Sequence, residues 1–180
     1  MGAVKPAQPA ALICAMTYRQ GSDGALALDR LTACFGATVL AQNPFPFTHT
    51  DYYAKEMGVP LFKRLLAFER LFIPDELAPN KLITNFIESD LSVGGRRRVN
   101  LDPGYLDAAR VVLASTKDHA HRIFLGKGVY GEVTLLYRKG AFQPLPWTYP
   151  DYREAGTLAF LEAARVWYLR KMARAAGREG

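Results

Sequence analysis

The side chains that could carry out chemistry are most concentrated in residues 96–137. This stretch combines acids, bases and tyrosines with two of the three histidines of the chain. Because paired and perturbed ionisable groups cluster at functional sites, a binding or active site is expected here. Its reactive residues are Asp102, Lys117, Asp118, His119, His121, Arg122, Tyr130 and Glu132.

His119 and His121 are separated by one residue, which places both imidazoles on one face of an extended segment. Two imidazoles so placed could chelate a divalent metal ion, with Asp102 or Glu132 completing the ligand set. Alternatively, one histidine acts as a general base that a carboxylate orients. A third interpretation is that the imidazoles only form hydrogen bonds at a neighbouring helix end, at residues 117–118.

Basic and aromatic residues in and near this stretch indicate a small anionic ligand. Lys117 and Arg122 would bind its negative charge, and Tyr130 and Trp147 would form an apolar wall. The leading hypothesis is therefore a pocket protein, or an enzyme, that acts on a nucleotide or a phosphorylated metabolite. The candidate catalytic residues are His119, His121, Asp102 and Glu132, and the first three are also the candidate metal ligands. The candidate ligand-binding residues are Lys117, Arg122, Tyr105, Tyr130, Asp118 and Trp147.

Two other functions remain open. The net charge of +6 permits an RNA partner on a basic surface that includes residues 96–98, although a run of three arginines is also common on solvated surfaces. Alternatively, the protein is a noncatalytic interaction subunit with an aromatic interface. The aromatic residues of that interface would be Phe45, Phe47, Tyr52 and Tyr53. These patterns leave the oligomeric state open.

The glycine-rich segment at residues 126–133 (GKGVYGEV) fits the phosphate-covering loop of protein kinases. The residues after it contain neither the H-R-D nor the D-F-G motif that a kinase requires. We therefore predict a glycine-rich β-hairpin for this segment. The sequence also contains no P-loop motif, and Asn80-Lys81 leads into Leu-Ile-Thr rather than into a guanine-recognition motif.

Hydrophobic patterning predicts a mixture of strands and helices. Strands are expected at residues 10–18, 38–41 and 97–101. The periodicity of residues 61–71 is compatible with either a strand or a helix. Helices are expected at residues 24–35, from 74 or 79 to about 91, and at 154–175. The buried face of the second helix is predicted to consist of Leu82, Ile83, Phe86 and Ile87.

Between residues 102 and 142, glycine and proline residues indicate where the turns lie. Asp102-Pro103-Gly104 should form a turn that leads into a short helix at residues 106–115. Residues 121–125 and 129–138 should form a hairpin, followed by a short extended run near Phe142. The fold class is therefore α+β, with a ferredoxin-like βαββαβ core. This core is extended by a helix, an antiparallel hairpin and a C-terminal helix, and the helices are expected on one face of the sheet.

Composition indicates an ordinary globular chain of 180 residues with 49% hydrophobic residues. We expect a loose leader at residues 1–9, one α+β domain at 10–152, and a C-terminal helix with a basic tail at 153–180. There is no signal-peptide pattern and no apolar run near the ~20 residues of a membrane helix. Cys14 and Cys34 lack metal-binding spacing. A cytoplasmic protein with two buried free thiols is the expectation.

Four phrases in the chain resemble a bacterial family called domain of unknown function 4416. They are PFPFTHTDYYAKEMG (44–58), RRVNLDPGYLDAARVVLASTKDHAHRIFL (97–125), GVYGEVTLLY (128–137) and WTYPDY (147–152). The resemblance extends over residues 11–152, and this family-like context favours a strand at residues 61–71. It implies no established activity, although some members carry a GTP-binding label, which would imply a nucleotide ligand. The phrases overlap the candidate site residues Asp102, Tyr105, Lys117, Asp118, His121, Arg122 and Glu132.

Overall fold

The structure, a computed structural model, describes residues 2–21, 23–50 and 52–177. Its strands are β1 (Ala10–Arg19), β2 (Thr38–Ala41), β3 (Phe45–Pro46), β4 (Leu61–Phe72), β5 (Val99–Leu106), β6 (Arg110–Ser115), β7 (Ile123–Gly126), β8 (Val129–Arg138) and β9 (Ala141–Pro144). Within the described residues these nine strands form one antiparallel sheet in the order β2-β4-β1-β5-β6-β8-β7. Strand β3 pairs with β4, and β9 pairs with β8.

Helices cover both faces of this sheet, so the protein belongs to the α+β class. They are α1 (Asp23–Phe35), α2 (Ala54–Met57), α3 (Leu77–Asp90) and α4 (Ala155–Ala175), with 3₁₀ turns at Pro74–Glu76 and Pro150–Arg153. Helices α1 and α3 pack on one face and α4 packs on the other, which corrects the expectation of helices on one face only. Among the described residues no helix combines the length and the apolar character that crossing a bilayer requires. Residues 178–180 of the predicted basic tail lie outside the described residues.

The central strand β1 shows why two helical layers are needed. Its residues are buried on both sides, because successive side chains of a strand point to opposite faces. The side chains that face α1 and α3 include Leu12, Cys14 and Met16. Those that face α4 include Ala11, Ile13 and Ala15. The continuous apolar run of β1 was read correctly as a fully buried strand.

The predicted turn and helix at residues 102–115 are wrong. Asp102, Pro103 and Gly104 lie inside strand β5, and the predicted helix is strand β6 preceded by a turn. The turn is made by Asp107, whose side-chain oxygen accepts hydrogen bonds from the backbone N–H groups of Ala109 and Arg110 at 2.7 and 2.9 Å. A short apolar run is compatible with either a strand or a helix, and here the neighbouring strands select the strand.

Gly104 explains why the Asp-Pro-Gly sequence fits in a strand. A Cβ atom at this position would lie 2.4 Å from the carbonyl oxygen of Val112 and 2.7 Å from a methyl carbon of Leu113. Glycine therefore permits the close approach of β5 to β6. Pro103, which has no N–H to donate, comes directly before the first residue of β5 that pairs with β6.

The ladder between β5 and β6 is short, and this opens the sheet. Only Gly104, Tyr105 and Leu106 of β5 pair with β6. The earlier residues of β5 pair with β1 alone, while Ala114 and Ser115 of β6 pair with β8 alone. One end of the sheet therefore contains a gap between two strands that are neighbours elsewhere.

Helix α3 faces this gap with an unexpected set of residues. Its buried residues are Leu77, Ala78, Asn80, Lys81, Thr84, Ile87 and Glu88. Of the predicted apolar face only Ile87 is buried, whereas Phe86 is 72% exposed and Leu82 and Ile83 are also exposed. The prediction of this face is therefore wrong, because polar and charged side chains of the helix are turned toward the open strand end.

The two cysteines differ in burial. Cys14 lies in β1 and is buried, and burial raises the pKa of its thiol. Cys34 lies near the end of α1 and is exposed, so the expectation of two buried thiols holds only for Cys14. Both are free cysteines.

Candidate functional site

A cavity of about 340 Å³ lies at the open end of the sheet. This volume is within the range of small-molecule sites, at its lower end. Strands β1, β4, β5, β6 and β8 contribute to its wall, as do helix α3 and the segments around residues 47–53 and 149–152. Side chains from both helix-covered faces therefore reach one cavity through the gap between β5 and β6.

Two charged residues of α3 bind the backbone of β5 in this gap. Lys81 Nζ donates a hydrogen bond to the carbonyl oxygen of Leu101 at 2.8 Å, and Glu88 Oε1 accepts one from the Leu101 N–H at 2.7 Å. Buried backbone groups require hydrogen-bond partners. Leu101 has none in β6, because β5 pairs with that strand only from Gly104 to Leu106. Burial raises the pKa of the Glu88 carboxyl, even though Lys81 and the Leu101 N–H act in the opposite direction.

Asp102 is held beside this pair by two donors. Lys81 Nζ lies 3.1 Å from its Oδ1, and Asn100 Nδ2 donates to its Oδ2 at 2.7 Å. Burial alone would raise the pKa of Asp102, but the ammonium groups of Lys81 and Lys63 outweigh this effect and lower the pKa. Burial by itself would lower the pKa of Lys81, but the carboxylates of Asp102 and Glu88 raise it overall. Both groups are therefore ionised at neutral pH.

A second buried ion pair joins strand β4 to the second 3₁₀ turn. Lys63 Nζ is 2.5 Å from Asp151 Oδ2, and both side chains are buried. The same ammonium lies 5.2 Å from the ring centre of Phe47 and 5.0 Å from that of Tyr152. Lys63 is opposite Thr17 of β1, which is opposite Asn100 of β5. These three side chains thus share one face of the sheet.

Arg122 and Glu132 close another part of the wall. The Nε atom of Arg122 donates to Glu132 Oε2 at 2.7 Å, and both side chains are buried. The remaining nitrogens of Arg122 donate to the Ser115 hydroxyl, the Lys117 carbonyl and the Tyr149 hydroxyl at 2.7, 2.9 and 2.9 Å. The guanidinium group thus joins β6, β8 and the segment before the second 3₁₀ turn, and four of its five N–H donors have acceptors within the described residues.

His121 contacts the carboxylate of this ion pair and is not part of the cavity wall. Its Nε2 atom lies 3.0 Å from Glu132 Oε2, and its ring stacks on Trp147 with a centre-to-centre distance of 5.2 Å. His119 stacks on His121 at 5.9 Å and is itself exposed. Within residues 2–21, 23–50 and 52–177, no three His, Cys, Asp or Glu side chains cluster in a way that could hold a metal ion. The predicted ligand set of His119, His121 and Asp102 is therefore not assembled.

The structure brings four of the candidate residues to the cavity and leaves six elsewhere. Asp102, Lys117, Arg122 and Glu132 line it. Tyr105 packs against Phe72, Tyr130 packs against Phe124, and Asp118 is exposed. The six candidates outside the cavity wall are His119, His121, Tyr105, Tyr130, Asp118 and Trp147.

Sequence reasoning missed several charged residues of the site. Lys81 and Glu88 are seven positions apart, which is about two helical turns, and this spacing could have indicated that both lie on the buried face of α3. Lys63 stands within the apolar run of β4, where a charge is unusual without a partner. Its partner Asp151 is 88 positions away, and no local pattern connects them.

Comparison with known families covers most of the chain. The model of the family described as Domain of unknown function (DUF4416) matches residues 8–168. No curated protein and no solved structure gives a significant match. The four phrases noted in the sequence all lie within the matched residues. The chain therefore belongs to the family Domain of unknown function (DUF4416).

Proposed function

We propose that the protein binds a small anionic molecule, such as a nucleotide or a phosphorylated metabolite, in the cavity at the open end of the sheet. The observation that carries the proposal is the pair of buried lysines, Lys63 and Lys81, in the wall of one cavity. Buried charges are expensive unless they are paired. Concentrating two such pairs around a hollow is typical of a binding site.

The basic groups retain donors for a ligand. An ammonium group has three N–H donors. Among the described residues, Lys63 Nζ has one hydrogen-bond acceptor, Asp151, and Lys81 Nζ has two, Leu101 and Asp102. Lys117 Nζ contacts only the ring of Tyr52 within the described part of the chain, at 4.1 Å from its centre. These three ammonium groups replace Arg122 as the groups proposed to hold an anion.

The charges around the cavity favour an anion by a small margin. The basic residues of its wall are Lys63, Lys81, Arg97, Lys117 and Arg122, and the acidic ones are Glu88, Asp102, Glu132 and Asp151. Among the described residues of the wall, five positive and four negative charges leave a net charge of +1. The aromatic rings of Tyr52, Tyr53 and Tyr149 add stacking surface that would suit a planar base.

The role proposed for Lys81 is to stabilise the negative charge of a bound ligand. A nucleophilic lysine needs a lowered pKa. Burial acts to lower the pKa of Lys81, but its carboxylate neighbours raise it overall. Lys81 would therefore remain an ammonium donor to a bound anion. His119 and His121, which were expected to transfer a proton, lie outside the cavity wall and receive no role in this proposal.

The two other hypotheses stay predictions without an observation that favours them. For RNA binding, two of the three arginines at residues 96–98 form ion pairs within the protein, Arg97 with Glu56 and Arg98 with Asp23. For an interaction subunit, Phe47 is buried in a small apolar cluster rather than presented at the surface.

A thermal-shift panel with nucleotides and sugar phosphates tests the proposal. A ligand at a hundred times its Kd adds ~2.7 kcal/mol to the free energy of unfolding, which raises the melting midpoint of a protein of this size by about 5–10 °C. Lys117→Gln should weaken the affinity of a responding ligand by about 10- to 100-fold through loss of a charge-assisted hydrogen bond. The matched control is Lys55→Gln, which removes an exposed lysine outside the cavity wall. A panel in which no compound shifts the midpoint contradicts the proposal.

The first part of the sheet supports a finer fold assignment, which we also propose. The order β2-β4-β1-β5, with α1 and α3 on one face, fits a ferredoxin-like βαββαβ core. The extension differs from the predicted one, because strand β6 stands where a helix was expected. An experimental structure with a different order of these four strands would remove this assignment.

A further inference from the structure

We infer that Asp102 determines specificity by accepting a hydrogen bond from a hydroxyl group of the ligand. The ligand class is then a hydroxylated anion, such as a sugar phosphate or a nucleotide, and not a simple anion. This inference rests on the proposed function, since it adds a second contact to the same cavity. It is carried by the contrast between Asp102 and the other carboxylates of the wall.

Among the described acidic side chains of the wall, Asp102 is the one that keeps substantial accessible surface. Its side chain is 33% exposed, compared with 9% for Glu88, 4% for Asp151 and 1% for Glu132. Those three carboxylates are covered by their protein partners. Asp102, which lines the cavity, is therefore the carboxylate that a bound molecule can reach.

Asp102 also keeps free acceptor capacity. A carboxylate offers about four lone-pair sites. Within the described residues its hydrogen-bond donors are Lys81, which uses one site on Oδ1, and Asn100, which uses one on Oδ2. One site on each oxygen is left for a ligand.

The carboxylate is also oriented before a ligand arrives. The Asn100 amide donates to Asp102, while its own Oδ1 accepts from Arg97 Nη1 at 3.2 Å. Arg97 is in turn held by Glu56, whose Oε2 lies 2.6 Å from Arg97 Nη2. A group that is already oriented loses less conformational entropy when it binds. A role as counter-ion to Lys81 alone would not require this second chain of hydrogen bonds.

The local charge favours a hydroxyl over an ammonium group as the donor. Lys81 Nζ already lies 3.1 Å from Asp102 Oδ1, and Lys63 is close enough to lower the pKa of the same carboxyl. A ligand ammonium at this place would be repelled by both lysines. A neutral hydroxyl can donate to Asp102 while the anionic group of the ligand contacts the ammonium groups.

Isothermal titration with matched probes tests this inference. The probes are ribose 5-phosphate, tetrahydrofurfuryl phosphate, which has the same ring and phosphate without the ring hydroxyls, and inorganic phosphate. For the unaltered protein, ribose 5-phosphate should bind at least about 10-fold more tightly than tetrahydrofurfuryl phosphate, as expected for hydrogen bonds to a charged group. In Asp102→Ala this ratio should fall to near one, because the acceptor for the ligand hydroxyl is lost. The affinity for tetrahydrofurfuryl phosphate should not fall, because a negative charge has been removed beside Lys81.

Two further variants keep the result interpretable. Asp102→Asn retains the shape and one acceptor oxygen, so it should give an intermediate ratio even if Asp102→Ala folds poorly. Asp29→Asn, which alters an exposed aspartate of α1, should leave the ratio unchanged.

The possible results separate this inference from the proposed function. If both organic phosphates bind equally well to the unaltered protein, Asp102 does not read a hydroxyl, and the anion site stands. If the preference for ribose 5-phosphate persists in Asp102→Ala and Asp102→Asn, another residue reads the hydroxyls. If none of the three probes binds, both the inference and the proposed function are overturned for this ligand class.

Discussion

Lys81 Nζ donates a hydrogen bond to the carbonyl oxygen of Leu101 across 2.8 Å, at the place where strand β5 has lost its partner β6. Two turns later on the same helix, Glu88 accepts a hydrogen bond from the Leu101 N–H. Helix α3 therefore supplies to Leu101 the acceptor and the donor that a paired strand would provide. The gap in the sheet can exist because these charged side chains form hydrogen bonds with the backbone groups of Leu101 that lack a partner strand. The cavity occupies the rest of the gap.

Removal of the Lys81 ammonium should destabilise the fold strongly. In Lys81→Met the Leu101 carbonyl loses its partner and Asp102 loses the ammonium group 3.1 Å from its Oδ1, while Glu88 keeps Arg97 Nη1 at 3.6 Å. Breaking a buried pair costs about 3–5 kcal/mol, and partial exposure of Asp102 places the expected loss near the lower end. Urea denaturation measures it, with Lys55→Met as the exposed control. A loss no larger than that of the control would show that Lys81 does not support the open strand end.

The amide of Leu101 should report directly on Glu88. In Glu88→Ala the Leu101 N–H loses its acceptor, so its hydrogen exchange should accelerate by about 10-fold or more, corresponding to at least ~1.4 kcal/mol of lost protection. Glu88→Gln keeps an acceptor oxygen and should have a smaller effect. Hydrogen exchange followed by NMR gives the comparison, with the amide of Ala15 in the doubly paired strand β1 as reference. Equal acceleration at both amides would indicate global destabilisation instead.

Adjacent residues of α3 should differ sharply in their contribution to stability. Ile87 is buried in the cluster beneath α1 and α3, whereas Phe86 is exposed. Ile87→Ala should lower the free energy of unfolding by about 2–4 kcal/mol, and Phe86→Ala by less than ~0.5 kcal/mol. Chemical denaturation of the two variants decides the matter. The reverse order would mean that Phe86, and not Ile87, belongs to the packed face of α3.

The ion pair between Arg122 and Glu132 should be strongly coupled. In Arg122→Met the buried Glu132 carboxylate keeps only His121 and Thr134 as side-chain partners among the described residues, so we expect a loss of about 3–5 kcal/mol. Glu132→Gln in the same chain should recover part of this loss, because it removes the uncompensated charge. A double-mutant cycle measures the coupling, and Arg96→Met is the control for an exposed arginine. Additive effects of the two substitutions would contradict a direct pair.

The contribution of Asp102 to the free energy of unfolding should be lost at acid pH. Burial acts to raise its pKa, but Lys81 and Lys63 lower it overall, so the folded pKa lies below the unfolded value of about 3.9. Its contribution is therefore complete above the unfolded pKa and is lost as the pH falls through the folded pKa. The difference in unfolding free energy between the unaltered protein and Asp102→Asn should be constant from about pH 7 to pH 5. It should then shrink toward pH 2, as measured by urea titrations at each pH. A difference that grew on acidification would mean that the sign of the shift is wrong.

Glu88 should show the opposite dependence. Burial raises its pKa above the usual value, so its contribution is greatest below the unfolded pKa and is lost as the pH rises through the folded pKa. The urea titrations of Glu88→Gln provide this comparison. The two carboxyls differ because Lys81 and Lys63 outweigh burial at Asp102. At Glu88 burial outweighs the opposing effects of Lys81, the Leu101 N–H and Arg97, whose Nη1 lies 3.6 Å from Glu88 Oε2.

Most of the elements that were predicted correctly are those whose local pattern is sufficient. Strands β1, β2 and β4, the hairpin of β7 and β8, and helices α1 and α4 were placed within a few residues of their bounds. Except for β4, each is marked by an apolar run, a clear helical period or a glycine turn. The periodicity of residues 61–71 does not distinguish a strand from a helix, and the family-like context favoured the strand. Strand β6 was mistaken for a helix because a six-residue run has too few periods to distinguish the two.

The candidate site was located in part for a related reason. Asp102, Lys117, Arg122 and Glu132 come from one dense stretch, and all four line the cavity. The other charges come from β4, α3 and the second 3₁₀ turn. The contact between Lys63 and Asp151 spans 88 positions, and its existence depends on which strands become neighbours.

The sequence by itself determined the family, the α+β class, most of the elements and the stretch in which part of the site lies. It did so because family-like phrases, apolar periods and turn residues are each contained within short segments of the chain. Only the tertiary structure decided that β5 and β6 separate, that α3 turns Lys81 and Glu88 inward, and that Asp102 opens into a cavity. Those outcomes depend on the pairing of distant strands and on the requirement that every buried backbone group and charge finds a partner.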